Sequence, residues 1–243
     1  MTIRWVTGFL DTPAAPATGA EEFWLAVTGT TPSRRRGDGT YATLVPAAGD
    51  PYLRFQIVGD PPARGHIDLH VEDVPGSADR AVALGARVTH REDGLIVLRS
   101  PAGIPFCLNT WHGESAVPAP VSWPGGHRSV VDQICLDIPD GSYAHESAFW
   151  EKLTSWPRTD VGEPEFERLN PPAGLPLRVL LQRTGSGVAG VHLDLACDDT
   201  DAEVARHVAR GATVIRRVPG DWSTLRDPAG REYCVTARQP AAG

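Results

Sequence analysis

Apolar and polar residues alternate along His66-Ile67-Asp68-Leu69-His70-Val71. This alternation sets Ile67, Leu69 and Val71 on one side of a strand and His66, Asp68 and His70 on the other. Residues 76–84 change to a helical rhythm, and Gly85 ends that helix as glycine does just past a C-cap. Strands are predicted from Val88, over 95–99 and, after the turn Pro101-Ala102-Gly103, over 104–109. The order β-α-β-β-β returns with a strand at 192–197, a helix at 200–210, Gly211 as stop, and strands near 213–217, 222–226 and 231–236. The segments preceding these blocks follow the same plan: strand 3–10, helix 19–28 and strands 41–45 and 52–58, then strand 130–138, helix 144–154 and strands 165–169 and 177–183. Phe23-Trp24 and Phe149-Trp150 fall inside the helices and read as core anchors.

The recurrence is an internal duplication. His66-Ile67-Asp68-Leu69 returns 126 residues later as His192-Leu193-Asp194-Leu195, and Gly85-Ala86 as Gly211-Ala212 at the same offset. Pro101-Ala102-Gly103 and Cys107 return as Pro228-Ala229-Gly230 and Cys234, one residue out of step. Four βαβββ modules in two pairs follow, as domain 1 (1–112), a Pro- and Gly-rich linker (113–127) and domain 2 (128–238). The fold class is α+β. Module pairing stays open between 1 with 2 and 3 with 4, and the exchanged 1 with 4 and 2 with 3.

A net charge of −7 disfavours nucleic acid. No run nears the ~20 apolar residues of a membrane span, and the first residues lack a signal core. A cytoplasmic monomer or homodimer is expected. Cys107, Cys135, Cys197 and Cys234 lie in apolar strand-like runs without a CxxC, which suits buried reduced thiols. Arg34-Arg35-Arg36 reads as a solvated loop.

The repeated HxDL strand, the Gly-Ala after the helix, Asp227-Pro228-Ala229-Gly230 and Tyr233-Cys234 resemble the vicinal oxygen chelate superfamily. The likeness is to its glyoxalase-like and bleomycin-resistance-like proteins; Ser100 replaces the turn aspartate in the first half. The resemblance implies two tandem half-open barrels with helices outside. His66, Asp68, His70, Cys107 and Cys234 would then face a cavity, and Phe106, Leu108, Tyr233 and Val235 a helix. Metalloenzymes of the superfamily hold a divalent ion, used as a Lewis acid, with His, Gln and Glu from the first and last strands of paired modules. Carried onto this chain, those positions are Thr7, Gln56, His66 and Cys107 in one half and Gln133, Gln182, His192 and Cys234 in the other.

Neither quartet contains a carboxylate, so the resemblance implies a degenerate metal site and no cofactor. If an ion (Zn, Ni, Fe or Mn) were held, His66, Cys107, Gln133, His192 and Cys234 would hold it. The expected function is binding or sequestration of a small organic molecule. His66, Asp68, His70, Gln56, Cys107, Gln133, Gln182, His192, Asp194 and Cys234 are the ligand-binding candidates, with Trp5, Trp111, Trp123, Trp156 and Trp222 available for aromatic walls. The alternative is a glyoxalase-like lyase or isomerase, or a dioxygenase, with an altered His/Gln/Cys ligand set. No catalytic residue is singled out, and there is no GxSxG or phosphate-cradling loop.

Overall fold

The computed structural model describes residues 1–241. The first half runs β1 (Ile3–Pro13), α1 (Ala17–Thr28), β2 (Thr31–Pro32), β3 (Tyr41–Val45), β4 (Leu53–Val58), β5 (Arg64–Val71), α2 (Val74–Ala83), β6 (Arg87–Glu92), β7 (Leu95–Arg99) and β8 (Pro105–Thr110). The second runs β9 (Val121–Ser122), β10 (Arg128–Ile138), α3 (Asp140–Thr154), β11 (Arg158–Asp160), β12 (Phe166–Leu169), β13 (Arg178–Arg183), β14 (Gly190–Cys197), α4 (Thr200–Val208), β15 (Thr213–Val218), β16 (Trp222–Arg226) and β17 (Glu232–Thr236).

The strands form two sheets, ordered β2-β3-β4-β1-β5-β8-β7-β6 and β11-β12-β13-β10-β14-β17-β16-β15, with β9 added beside β10. Each sheet therefore takes two adjacent βαβββ modules and makes one half-barrel, which resolves the strand pairing as 1 with 2 and 3 with 4. Within each sheet, the HxD strand and the cysteine strand run parallel. Asp68 lies opposite Cys107 and Asp194 opposite Cys234.

Helix ends repeat with the sequence. Asp73 caps α2 by accepting from the Gly76 amide at 2.9 Å, and Asp199 caps α4 through the Ala202 amide at 3.0 Å. Gly85 and Gly211 end these helices at φ of 106° and 105°, a left-handed conformation that favours glycine. Three short strands escape the sequence pattern: β2, β9 and β11 have two, two and three residues, too few to show a period. The segment read as a linker thus contains β9, which pairs Ser122 with Arg128 and Val121 with Ser129. Arg34 and Arg36 are exposed, as in a solvated loop, while Arg35 bonds Glu21 and the Gly39 carbonyl, and Arg36 bonds Thr43.

The chain divides into two compact units, one of Met1–Gly8, His66–Ser115 and Ile134–Val191, the other of Phe9–Gly65, Ala116–Gln133 and His192–Gly243. In the first, Phe149 and Trp150 of α3 pack on Phe106, with the Trp150 and Phe106 rings 5.1 Å apart edge to face. In the second, Phe23 and Trp24 of α1 pack on Tyr233, again at 5.1 Å for the tryptophan. Both Phe-Trp pairs are buried, as core anchors should be.

The two indole N–H groups need buried acceptors, and the units supply them differently. Trp24 Nε1 donates to Asp227 of the turn before β17 (2.8 Å). In the other unit that aspartate is Ser100, and Trp150 Nε1 donates instead to Glu146, one helical turn earlier on α3 (2.7 Å). Glu146 also accepts from the Ala102 amide, as Asp227 does from the Ala229 amide. The carboxylate stands in the turn in one copy and on the helix in the other, with tryptophan and alanine donors at matching places, whereas Arg231, which also donates to Asp227, has Ile104 as its counterpart. The counterpart of Glu146 in the other copy is Ala20.

Candidate ligand site on the HxD strands

Strand alternation sets His66, Asp68 and His70 on one face of β5, and the parallel register of β8 brings Cys107 beside them. His66, Asp68 and Cys107 each offer one donor atom, all within 4.8 Å of one another, and all three residues are buried. His66 Nε2 lies 3.3 Å from Asp68 Oδ1. That contact is electrostatic, because Oδ1 receives no aligned hydrogen bond, whereas Oδ2 accepts from Asn109 Nδ2 of β8. His70 Nε2 is 2.9 Å from Thr7 Oγ1 of β1.

The second copy keeps the plan and changes its supports. His192 Nε2 lies 3.3 Å from Asp194 Oδ1, which again receives no aligned hydrogen bond. Here Gln133 of β10, at the position of Thr7, donates to Asp194 Oδ2 (2.5 Å). Ala196 stands where His70 would be. Cys234 Sγ is 3.9 Å from His192 Nε2 and 3.6 Å from Thr224 Oγ1. Cys107, Cys135 and Cys197 are buried as expected, but Cys234 is partly exposed.

Burial alone would raise the Asp68 carboxyl. The close approach and charge of His66, the charge of His70 and the Cys107 thiol outweigh it and hold the group below the ordinary carboxylate value. Asp194 is held low in the same way, chiefly by His192, with Arg238 and Gln133 helping against burial. Burial and the Asp68 charge push the Cys107 thiol up to about 12, so it is protonated at neutral pH without a cation beside it. A carboxyl depressed by folding contributes stability that is present above its unfolded value, near ~4, and lost as pH falls through the folded value. Acid unfolding followed by circular dichroism is therefore expected to show a loss below about pH 4 that is shallower in Asp68→Asn. Identical acid limbs in the two proteins would contradict an ionised Asp68.

The other candidates divide. Gln182 accepts from the Cys135 thiol (3.5 Å), and Gln56 makes a long 3.5 Å contact to Tyr41 Oη at an exposed position. Of the tryptophans, Trp5 and Trp156 are core, Trp111 lies under the Arg4 guanidinium, and Trp123 lies under Arg206.

Asp68 and Asp194, ligand-binding candidates outside the superfamily's metal quartets, lie two residues along the same strand face from His66 and His192. They supply the carboxylate that the quartets lacked. Tetrahedral Zn with bonds of ~2.0–2.1 Å to nitrogen and oxygen would space those atoms about 3.3 Å apart. The His66–Asp68 separation of 3.3 Å and the Oδ1 without an aligned donor meet that requirement. His66, Asp68 and Cys107 thus fit a divalent cation, and a bound ion would supply Lewis acidity and lower the thiol.

Two half-barrels of paired βαβββ modules, each with a buried polar cluster on its HxD strand, define a tandem member of the vicinal oxygen chelate superfamily. Within it, this chain belongs to the glyoxalase-like domain family, whose model matches residues 9–109 and 133–236. Among solved structures it is similar to a Mn(II)-bound glyoxalase from Novosphingobium aromaticivorans, with 16% identity over 100% of this chain and 85% of the other, at a TM-score of 0.68. An extradiol ring-cleaving dioxygenase from B. fuscum aligns at 14% identity over 100% and 74%, with a TM-score of 0.65. The halotolerant catechol dioxygenase BphC aligns at 14% over 97% and 87%, with a TM-score of 0.62. These likenesses concern the fold. No curated protein sequence matches the chain. Among the described residues no helix is long and apolar enough to cross a membrane.

Proposed function

We propose that this protein binds a small organic molecule against the polar face of β5 and β8, with Asp68 as the anchoring group. One observation carries the reading. Asp68 is buried and ionised, yet its Oδ1 has an adjacent histidine and no aligned donor. Burying a charge costs several kcal/mol unless partners compensate, and an N–H or O–H donor on a ligand would complete the shell. Four cysteines without a disulfide suit a reducing compartment such as the cytoplasm.

A second reading, a metal-dependent lyase, isomerase or dioxygenase of glyoxalase type, is favoured by the convergence of His66, Asp68 and Cys107. Metal analysis and native mass spectrometry of untagged protein separate the two. Binding without metal predicts a metal-free chain that retains or takes up an organic ligand, with affinity at least ~10-fold weaker in Asp68→Asn, a loss of about 1.4 kcal/mol. A stoichiometric ion that disappears in His66→Ala would establish the second reading. A chain that takes up neither ligand nor metal would refute both.

A further inference from the structure

Arginines gather on one face of β3 and β4. Alternation along β4 buries Leu53 and Phe55 and turns Arg54 and Gln56 to the opposite face, half-buried. The antiparallel register sets Thr43 of β3 opposite Arg54 and Tyr41 opposite Gln56. A single bridge sets Arg36 opposite Tyr41. Directly opposed residues share a face, so Arg36, Thr43 and Arg54 lie on one side of the sheet, within one compact unit. Phe9 of β1 joins them, with the Arg54 guanidinium carbon 5.8 Å from its ring centre.

Two cations meet here without an anion. Arg36 donates to Thr43 Oγ1 (3.1 Å), which leaves the hydroxyl proton of this buried threonine, 7% exposed, for another acceptor. The Arg54 Nε is shielded from water and has no hydrogen-bond partner. Among the described residues neither guanidinium forms an ion pair. Acid is not in short supply, since the chain has 30 Asp and Glu against 23 Lys and Arg. Nor does the fold need a cation at this place. Leu180 stands two residues before Gln182 on β13, as Arg54 stands two before Gln56 on β4. The arginine opposite Leu180, Arg168, is bonded to Asn170 (3.1 Å). Drawing a cation away from water without a partner is costly. Where an aliphatic side chain suits the fold, a guanidinium stands at a cost that an incoming anion offsets.

We propose that Arg54, Arg36 and Thr43 bind the carboxylate of a small organic acid. The planar guanidinium fork matches the two oxygens of a carboxylate, and the Thr43 O–H supplies a further donor. Tyr41, 37% exposed on the same face, offers its ring to the apolar body of the acid. Arg54 already rests on the Phe9 ring, so little side-chain freedom is lost when the anion arrives. The site shares no residue with the Asp68 cluster and does not rest on that reading, since it takes an acceptor where Asp68 takes a donor.

The test titrates the full chain with benzoate and follows the backbone amides and arginine Nε–H groups by NMR. Saturable binding is expected, with shifts at Thr43 and Arg54, and the neutral isostere benzamide should bind at least ~10-fold more weakly. Arg54→Leu installs the residue of the other copy, so its unfolding midpoint should be no lower than that of the wild type, while benzoate binding falls at least ~10-fold. Arg36→Gln, at an exposed position, should weaken benzoate by about 3-fold without touching the core. Benzoate that stays bound against equimolar inorganic phosphate supports a carboxylate site, and its displacement overturns that assignment in favour of a general anion site. Absence of saturable binding, equal binding of benzamide, or unchanged affinity in either variant overturns the proposal.

Discussion

Replacing Arg231 with methionine is expected to destabilise the protein by about 3–5 kcal/mol, because it strands a buried carboxylate. Arg231 is 3% exposed. Its guanidinium donates to Asp227 Oδ2 (2.7 Å), to the carbonyls of Asp11 (2.7 Å) and Arg64 (3.0 Å), and to Thr12 Oγ1 (2.8 Å). One side chain thus ties β17 to β1 and β5 in the second unit while neutralising the aspartate that receives Trp24. Methionine fills much of the volume and supplies no donor. Urea unfolding should show a lower midpoint at unchanged slope. The double variant Arg231→Met, Asp227→Asn should cost less than the sum of its parts, since the charge left behind is gone. A loss below about 1 kcal/mol in the single variant would mean that water reaches Asp227 and that the pair is not sealed.

The second large effect concerns Glu146, which is fully buried on α3. Burial raises its carboxyl, against the hydrogen bonds from Ser100, Ala102 and Trp150. Glu146→Ala leaves the Trp150 indole N–H and the Ala102 amide without an acceptor, at about 1–3 kcal/mol for each orphaned group. Ser100→Asp in the same background should recover only part of the loss, because Ile104 stands where Arg231 neutralises Asp227 in the other copy. The other copy shows why. There Asp227, at the position of Ser100, accepts from Trp24, Ala229 and Arg231 without help from the helix, where Ala20 stands. Thermal unfolding of the four proteins of this cycle reads the result. Additive losses would show that the helix and turn carboxylates do not substitute for each other.

That exchange marks a limit of the sequence. The departure of Ser100 from the Asp-Pro-Ala-Gly turn was visible in the alignment of the two halves, but its compensation was not. Glu146 sits 46 residues away on a helix, and nothing in local periodicity says that this helix packs on that turn. The same limit applies at the candidate site. Alternation along β5 placed His66, Asp68 and His70 on one face, and the repeat placed His192 and Asp194 likewise. Which of them meets a cysteine depended on the parallel register of β5 with β8 and of β14 with β17. Ligand positions transferred strand by strand therefore kept Asp68 as a binding candidate but outside the metal quartet, although it lies two residues from His66 on the same strand face. Trp123 was read as a possible cavity wall, and only the packing of its segment on α4 showed it stacked on Arg206.

By itself, the sequence determined the longer elements, their order, the duplication and the faces of the strands. These are properties of short-range periodicity and of a repeat long enough to align, and local backbone geometry enforces them. The tertiary structure decided which modules share a sheet, which helix covers which strand, which carboxylate serves each buried tryptophan, and that His66, Asp68 and Cys107 converge. Those outcomes depend on contacts between residues far apart in the chain. They are selected by the requirement that every buried N–H and carboxylate find a partner, a condition that acts on the assembled core and leaves little trace in any single segment.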